Sequence, residues 1–324
     1  MFTPKPFLYL LLGASLFSPF IASSEDQKPG EKKISIAVVP MGTSHVYWKA
    51  VEAGARQACK ELGIDMTWKG PLKENDRAQQ IAIVEQFVSE NKSGIVIAPL
   101  DDTALKRPID AAMAKKIPVV VIDSALKGEP GTDFVSFVAT DNHAGGKMAA
   151  EELLKLLNGK GKVILIRGQE GTASTTAREE GFLEEIKKHP EIQILLDNRY
   201  AGNTAAEAQT TVMNLMDKIR QADGMFCPNE GTTFGTLLAL RQAHLAGKIK
   251  LVGFDTSPAL IEGVKKGEIM AVVAQHPKKM AYDGVKILVA KIRGEEVPQK
   301  EDSGAVLITA ENLNTPEIQE LLAP

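Results

Sequence analysis

Short apolar runs of strand length alternate with longer amphipathic stretches from Ile34 almost to the end of the chain. The runs are Ile34–Pro40, Gly94–Ala98, Pro118–Ile122, Val163–Ile166, Ile192–Leu196, Gly224–Phe226, Leu251–Phe254 and Met270–Ala274. Most are rich in Val and Ile and nearly continuous, a pattern that demands a sheet covered on both faces. Helix-length segments lie between most of them: Val46–Leu62, Asp76–Glu90, Thr103–Lys115, His143–Leu157 and Thr172–Lys188. Strand–helix alternation gives right-handed parallel crossovers and doubly wound α/β sheets. With the weaker candidates Ile64–Trp68 and Phe134–Val138 there are about ten strands, which at 324 residues suits two α/β lobes better than one domain. The break belongs near Ala139-Thr140-Asp141, where a short strand runs into the helix-start signal Asp141-Asn142.

The first residues read differently. Phe7–Ile21 is almost continuously apolar, follows the lone cation Lys5 and leads into the small residues Ala22-Ser23-Ser24. That is the layout of a secretory signal peptide over residues 1–24, followed by a polar linker over 25–33. The apolar run is short for a membrane span and contains Pro19. No cysteine follows it, which argues against lipid anchoring, so a periplasmic protein is expected. Net charge is −3, with no basic excess to suggest nucleic acid. The two cysteines, Cys59 and Cys227, are expected to be buried free thiols, and their spacing offers no zinc pattern.

In open parallel sheets ligands bind beyond the carboxyl ends of the strands. Seven strands here are followed at once by hydrogen-bonding side chains: His45, Tyr47 and Trp48; Asp101 and Asp102; Asp123 and Ser124; Arg167 through Thr176; Asn229 and Glu230; Asp255; and Gln275. A sugar hydroxyl is one donor and two acceptors, which carboxylates and amides can match, and aromatic faces suit its C–H surfaces. Asp101, Asp102 and Asn142 read first as helix caps, whereas Asn229 and Asp255 read as site residues. Tyr47 and Trp48 are adjacent on a helix and face different ways, Trp48 being the expected core member of the pair. Phosphate-binding fingerprints, the nucleophile elbow and the zinc-protease motif are all missing, so neither an enzyme nor a cofactor is expected. Only 33 residues precede the first strand, most of them signal-like, which leaves no room for a DNA-binding helix-turn-helix.

The order and spacing of several segments carry a resemblance: KISIAVVP, YWKAVEAGARQACKELG, GIVIAPLDDTAL, KIPVVVIDS, VATDNHAGGKMAAEELL, AREEGF, FCPNEGTTFGTLLAL, LVGFDTSP and GEIMAVVAQHP. The chain resembles the type I periplasmic sugar-binding proteins related to ribose-binding protein, from Ile34 to about Leu313. The resemblance implies two Rossmann-like lobes, residues 34–139 plus 277–303 and residues 140–276 plus 304–324, joined by a hinge of three crossing segments. It implies a sugar or polyol ligand, an ABC importer permease as partner, a chemoreceptor as a further partner, a monomer and no metal. Carried over by position, the ligand contacts are His45, Tyr47, Trp48, Asp123, Asn229, Asp255 and Gln275. The family's two arginines fall on Ser124 and Thr176, with Arg178 the nearest arginine to the second; a second-lobe aromatic falls on Asn203 or sits at Tyr200. Without those rigid bidentate donors, ribose held in the ribose manner is not expected. The segment Trp68–Gln80 is similar to relatives that bind rhamnose or autoinducer-2, which keeps a deoxysugar or small polyol open.

Overall fold

A computed structural model describes Met1 and residues 33–322; the expected signal peptide therefore lies outside the described residues. The first strand shows the organising rule. In β1 (Ser35–Val39), Ile36 and Val38 point into one core while Ala37 and Val39 point into another on the opposite face, and all four are buried. A strand can bury both faces only when helices cover both sides of its sheet.

The chain continues as α1 (Val46–Leu62), β2 (Asp65–Trp68), α2 (Arg77–Ser89), β3 (Gly94–Ile97), α3 (Lys106–Ala114), β4 (Val119–Ile122) and β5 (Ser136–Ala139). It then builds α4 (Asn142–Leu156), β6 (Gly161–Arg167), α5 (Ala173–Ile186), β7 (Ile192–Tyr200), α6 (Ala205–Asn214), α7 (Met216–Ile219), β8 (Gly224–Phe226), α8 (Glu230–Gln242), β9 (Lys250–Phe254), α9 (Pro258–Lys265) and β10 (Ala271–Gln275). The last part is α10 (Pro277–Ile292), β11 (Lys300–Asp302), β12 (Ala305–Thr309) and α11 (Pro316–Leu322).

Two six-stranded sheets result, in the orders β11-β5-β4-β3-β1-β2 and β12-β10-β9-β8-β6-β7. Setting aside the final strand of each, both follow one winding scheme. All pairings are parallel except β12, which runs antiparallel to β10 from Ala271 opposite Thr309 to Gln275 opposite Ala305. The chain thus passes between the sheets three times: after β5, after β10 and between β11 and β12. Helix α10 packs on α1 beside the first sheet, with Met280, Ala281, Val285 and Leu288 in the same core as Trp48 and Val51.

The expected α/β fold with two parallel sheets is present, and the eight strong strand candidates all form. Two further strands, β11 and β12, were not among the ten expected. Both cysteines are buried free thiols; burial pushes the Cys227 thiol up to about 12.

Two glycines set the spacing of helices that carry site residues. A Cβ on Gly146 of α4 would lie 1.9 Å from the carbonyl oxygen of Arg178, and one on Gly231 of α8 the same distance from that of Asn203. Only glycine admits such close backbone approach.

Candidate functional site

The carboxyl ends of both sheets face one cavity. Its wall holds His45, Tyr47, Trp48, Glu74 and Asp123 from the first half of the chain, and Arg178, Asn203, Asn229, Glu230, Asp255 and Gln275 from the second, together with Met41, Thr172, Ser174, Thr175 and Gly231. These residues enclose about 380 Å³ of empty space, part of it open to solvent.

Asp123 and Asp255 occupy matching places after β4 and β9. Both have left-handed backbones, with φ of 66° and 68°. The turn aims each carboxylate inward, at a steric cost that Asp tolerates better than most residues. Asp123 accepts a hydrogen bond from the Tyr47 hydroxyl. Asp255 accepts from Gln275 Nε2 at 2.6 Å and from the Glu230 backbone N–H at 3.0 Å. Burial raises both carboxyls, Asp123 to about 6, although Arg178 pulls each back.

Arg178 is the buried cation between them. Its Nη1 is 3.9 Å from Asp255, its Nε donates to Asn142 at 2.8 Å, its Nη1 donates to the Pro228 carbonyl at 2.8 Å, and its guanidinium lies 3.8 Å from the Phe254 ring centre. The site thus does contain an arginine, placed on α5 two residues beyond Thr176, the position the family resemblance implies. Thr176 does not line the cavity; its hydroxyl turns back to the Thr172 carbonyl. Thr175 and Arg178 are three apart and share a helix face, whereas Thr176 is rotated away from it. Ser124 is also absent from the wall; its Oγ accepts from Ser174 N at 3.1 Å and ties the two halves together.

Tyr47 and Trp48 both line the cavity and both belong to the buried core, so the expected division into one core and one site residue does not hold. The rings meet edge to face at 5.0 Å. Tyr200 stays exposed, and Asn203 occupies the wall in its place. Asn229 caps α8 by accepting from Thr232 N and also donates Nδ2 to Asn203 Oδ1 at 2.7 Å. Capping and cavity lining are both met by this one side chain. Asp101 accepts from the backbone N–H of Thr103 and Ala104 and so closes the turn before α3, whose N-cap position falls on Leu105; the expected helix-cap role is not met.

Two acids escaped the sequence reading as site residues. Glu230 is the first residue of α8, and its neighbour Asn229 drew attention away from it. Burial lifts its carboxyl to about 7. Glu74 lies on the strap between β2 and α2, away from any strand end. Three buried polar atoms on this wall have no hydrogen-bond partner: Asn203 Nδ2, Glu230 Oε2 and Gln275 Oε1. A buried polar atom without a partner is costly, so these three give the cavity hydrogen-bonding groups that a polar molecule can satisfy.

The halves also touch outside the cavity. Asn75 Nδ2 donates to Glu207 Oε1 at 3.0 Å, Arg77 Nη2 to the Glu170 carbonyl at 3.2 Å, Asp102 N to the Gly171 carbonyl at 3.1 Å, and Thr172 Oγ1 to the Leu100 carbonyl at 3.2 Å.

A site of this make-up, between two similarly wound sheets, has known counterparts. The sequence profile of the periplasmic binding protein domain matches residues 36–296. The chain belongs to that family. Among solved structures, a carbohydrate transporter solute-binding protein from Agrobacterium radiobacter in complex with D-arabinose is 33% identical. The match covers 90% of this chain and 99% of that one, with a TM-score of 0.85. An ABC transporter solute-binding protein from Agrobacterium vitis with bound D-fucose is 32% identical, covers 89% and 100%, and also has a TM-score of 0.85. The D-allose-binding periplasmic protein of Escherichia coli is 29% identical over 268 residues, 81% of this chain and 86% of its own. These family members are sugar-binding proteins by name or by bound ligand.

Proposed function

We propose that this chain is the periplasmic solute-binding component of an ABC importer and captures a small sugar or polyol between two lobes. The observation that carries the reading is the trio of unpartnered atoms, two acceptors and one donor, on a wall that also holds two aromatic rings. A ligand whose hydroxyls both donate and accept satisfies all three at once. The relatives bound to D-arabinose and D-fucose, and the one named for D-allose, support pentoses, hexoses and deoxysugars as the class.

In this reading the lobes are residues 34–139 with 277–303 and residues 140–276 with 304–324, and the three chain crossings form the hinge. His45, Tyr47, Trp48 and Asp123 contact the ligand from the first lobe; Arg178, Asn203, Asn229, Glu230, Asp255 and Gln275 contact it from the second. Ser124 and Thr176 serve the frame instead. A ligand that touches both lobes favours the closed arrangement by its differential affinity for it, and the closed pair of lobes is the form offered to the permease. The chain acts as a monomer, and docking to a chemoreceptor would use the same closed surface. Residues 1–24 direct export and are removed.

A thermal-shift screen over pentoses, hexoses, 6-deoxyhexoses and polyols tests this, because a ligand that binds only the folded protein raises its melting temperature. At least one sugar should shift the transition by several degrees and be recovered unchanged by chromatography. No shift across the panel, or conversion of the sugar, refutes the reading. Sequencing the N-terminus of the secreted protein tests removal of residues 1–24.

A further inference from the structure

Glu74 is the one carboxylate of the cavity that strand ends do not explain, and its surroundings are built with care. The strap that carries it is pinned from several sides. Thr43 Oγ1 donates to the Pro71 carbonyl at 3.2 Å. A Cβ on Gly42 would come within 2.9 Å of Glu74 Cγ. Just beyond, Asp76 caps α2 by accepting from Gln79 N. Gln80, fully buried, donates to the Pro40 and Ala98 carbonyls and accepts from Leu100 N.

One oxygen of Glu74 receives two donors. Trp48 Nε1 lies 2.6 Å from Oε1, and His45 Nδ1 lies 2.9 Å from the same atom. His45 is the N-cap residue of α1, yet its side chain makes no cap hydrogen bond, so the ring is free for this contact. The first turn of α1 has no acid of its own. Burial works against a charge on the imidazole. The Glu74 hydrogen bond and charge, with Glu230 and Asp255 from the second half, outweigh it and carry His45 from 6.5 to about 9. Asp123 and the cation Arg178 share the same wall and complete the charged groups around the ring. With Nδ1 committed to Glu74, Nε2 is the only ring nitrogen left for a ligand.

We propose that Glu74 is a positioning residue of the cleft: it holds the His45 imidazole doubly protonated and the Trp48 indole fixed, so that a ligand oxygen meets a charged Nε2–H donor beside an aromatic wall. The assignment rests on reading the cavity as a sugar site. It adds a chemical requirement: the ligand places an acceptor oxygen, not a basic nitrogen, against His45. Donors that carry a charge make the stronger hydrogen bonds. All three side chains belong to the first half of the chain.

Imidazole NMR on the 15N-labelled full chain tests the hold directly, with His45→Asn used to identify the signal. The wild-type ring should stay doubly protonated through pH 8 and titrate near 9, and Glu74→Gln should bring the midpoint down toward the ordinary 6.5. A wild-type midpoint near 6.5, or one that Glu74→Gln leaves in place, overturns the proposal. Calorimetry with D-arabinose, D-fucose, D-allose and D-ribose at pH 6 and pH 8 supplies the functional arm. A ring with a midpoint of 6.5 is only about 3% charged at pH 8 but about 75% charged at pH 6. For any sugar that binds, Glu74→Gln should therefore weaken binding, relative to wild type, at least tenfold more at pH 8 than at pH 6. An equal loss at both pH values means Glu74 is merely structural and also overturns the proposal. Failure of every sugar to bind the wild type refutes the proposed function, while the imidazole titration still decides whether Glu74 governs His45.

Discussion

Replacing Asp255 separates the chemistry of the site from the strain of its backbone. Its carboxylate is buried, accepts from Gln275 Nε2 and Glu230 N, and sits 3.9 Å from Arg178 Nη1. Asp255→Ala and Asp255→Gly both delete it. A hydrogen bond to a charged group is worth about 1.5–3 kcal/mol, so both variants should bind sugar roughly 10- to 150-fold more weakly. The two should differ in stability. At φ of 68° an L-residue pays about 1–2 kcal/mol, which glycine avoids, and glycine gives back about 0.5–1 kcal/mol through its freer unfolded chain. The glycine variant should therefore unfold at a higher urea concentration, by about 1 kcal/mol or somewhat less. Isothermal titration calorimetry and urea denaturation on the same samples check both numbers. Binding within twofold of wild type in either variant refutes the site assignment. Equal stability of the two variants refutes the claim that strain is stored at this turn.

Other perturbations follow from the same contacts. Arg178→Leu leaves Asp123 and Asp255 without their buried cation and should cost about 3–5 kcal/mol, measured by chemical denaturation. The Glu230 carboxyl is held near 7 by burial, above its ordinary 4.5, so the folded cleft favours its protonated form. Stability from this group is complete below about pH 4.5 and lost as pH rises through about 7; Glu230→Gln should flatten that part of the melting profile, an effect of about 3 kcal/mol. Gly231→Ala would put a methyl group 1.9 Å from the Asn203 carbonyl oxygen and should destabilise by about 1–3 kcal/mol, with sugar affinity falling as Asn203 shifts.

The sheets were legible because burial on both faces writes itself as continuous Val/Ile runs, and because ligands in such folds gather at strand ends. Asp123, Asn229, Asp255 and Gln275 follow from that rule alone. What the rule misses has physical reasons. β11 is the three-residue, charged segment Lys300–Asp302 at a sheet edge, where no apolar run is needed. β12 is only partly buried except at Ile308, so its composition carries a weak signal. Arg178 and Thr176 exchange roles because helix phase, not distance from a motif, decides which side chain faces inward. Glu74 sits on an irregular strap whose path is set by Gly42 and Pro71, contacts that no periodicity records. Trp48 shows that core and site are not alternatives, since its ring packs in the core while its indole N–H reaches Glu74.

Away from the three chain crossings, five hydrogen bonds join the two halves: Asn75 to Glu207, Arg77 to Glu170, Asp102 to Gly171, Thr172 to Leu100 and Ser174 to Ser124. A bond of this kind contributes about 0.5–1.5 kcal/mol net, so together they weight the equilibrium toward closure. In a carrier of the proposed kind this has two opposed effects. A larger pre-closed fraction raises apparent affinity, which favours scavenging from dilute surroundings. The same fraction presents the importer with a closed but vacant partner, which occupies the docking face and delivers nothing. The number and strength of these few bonds thus set how much futile traffic an importer of the proposed kind bears for its sensitivity at low sugar.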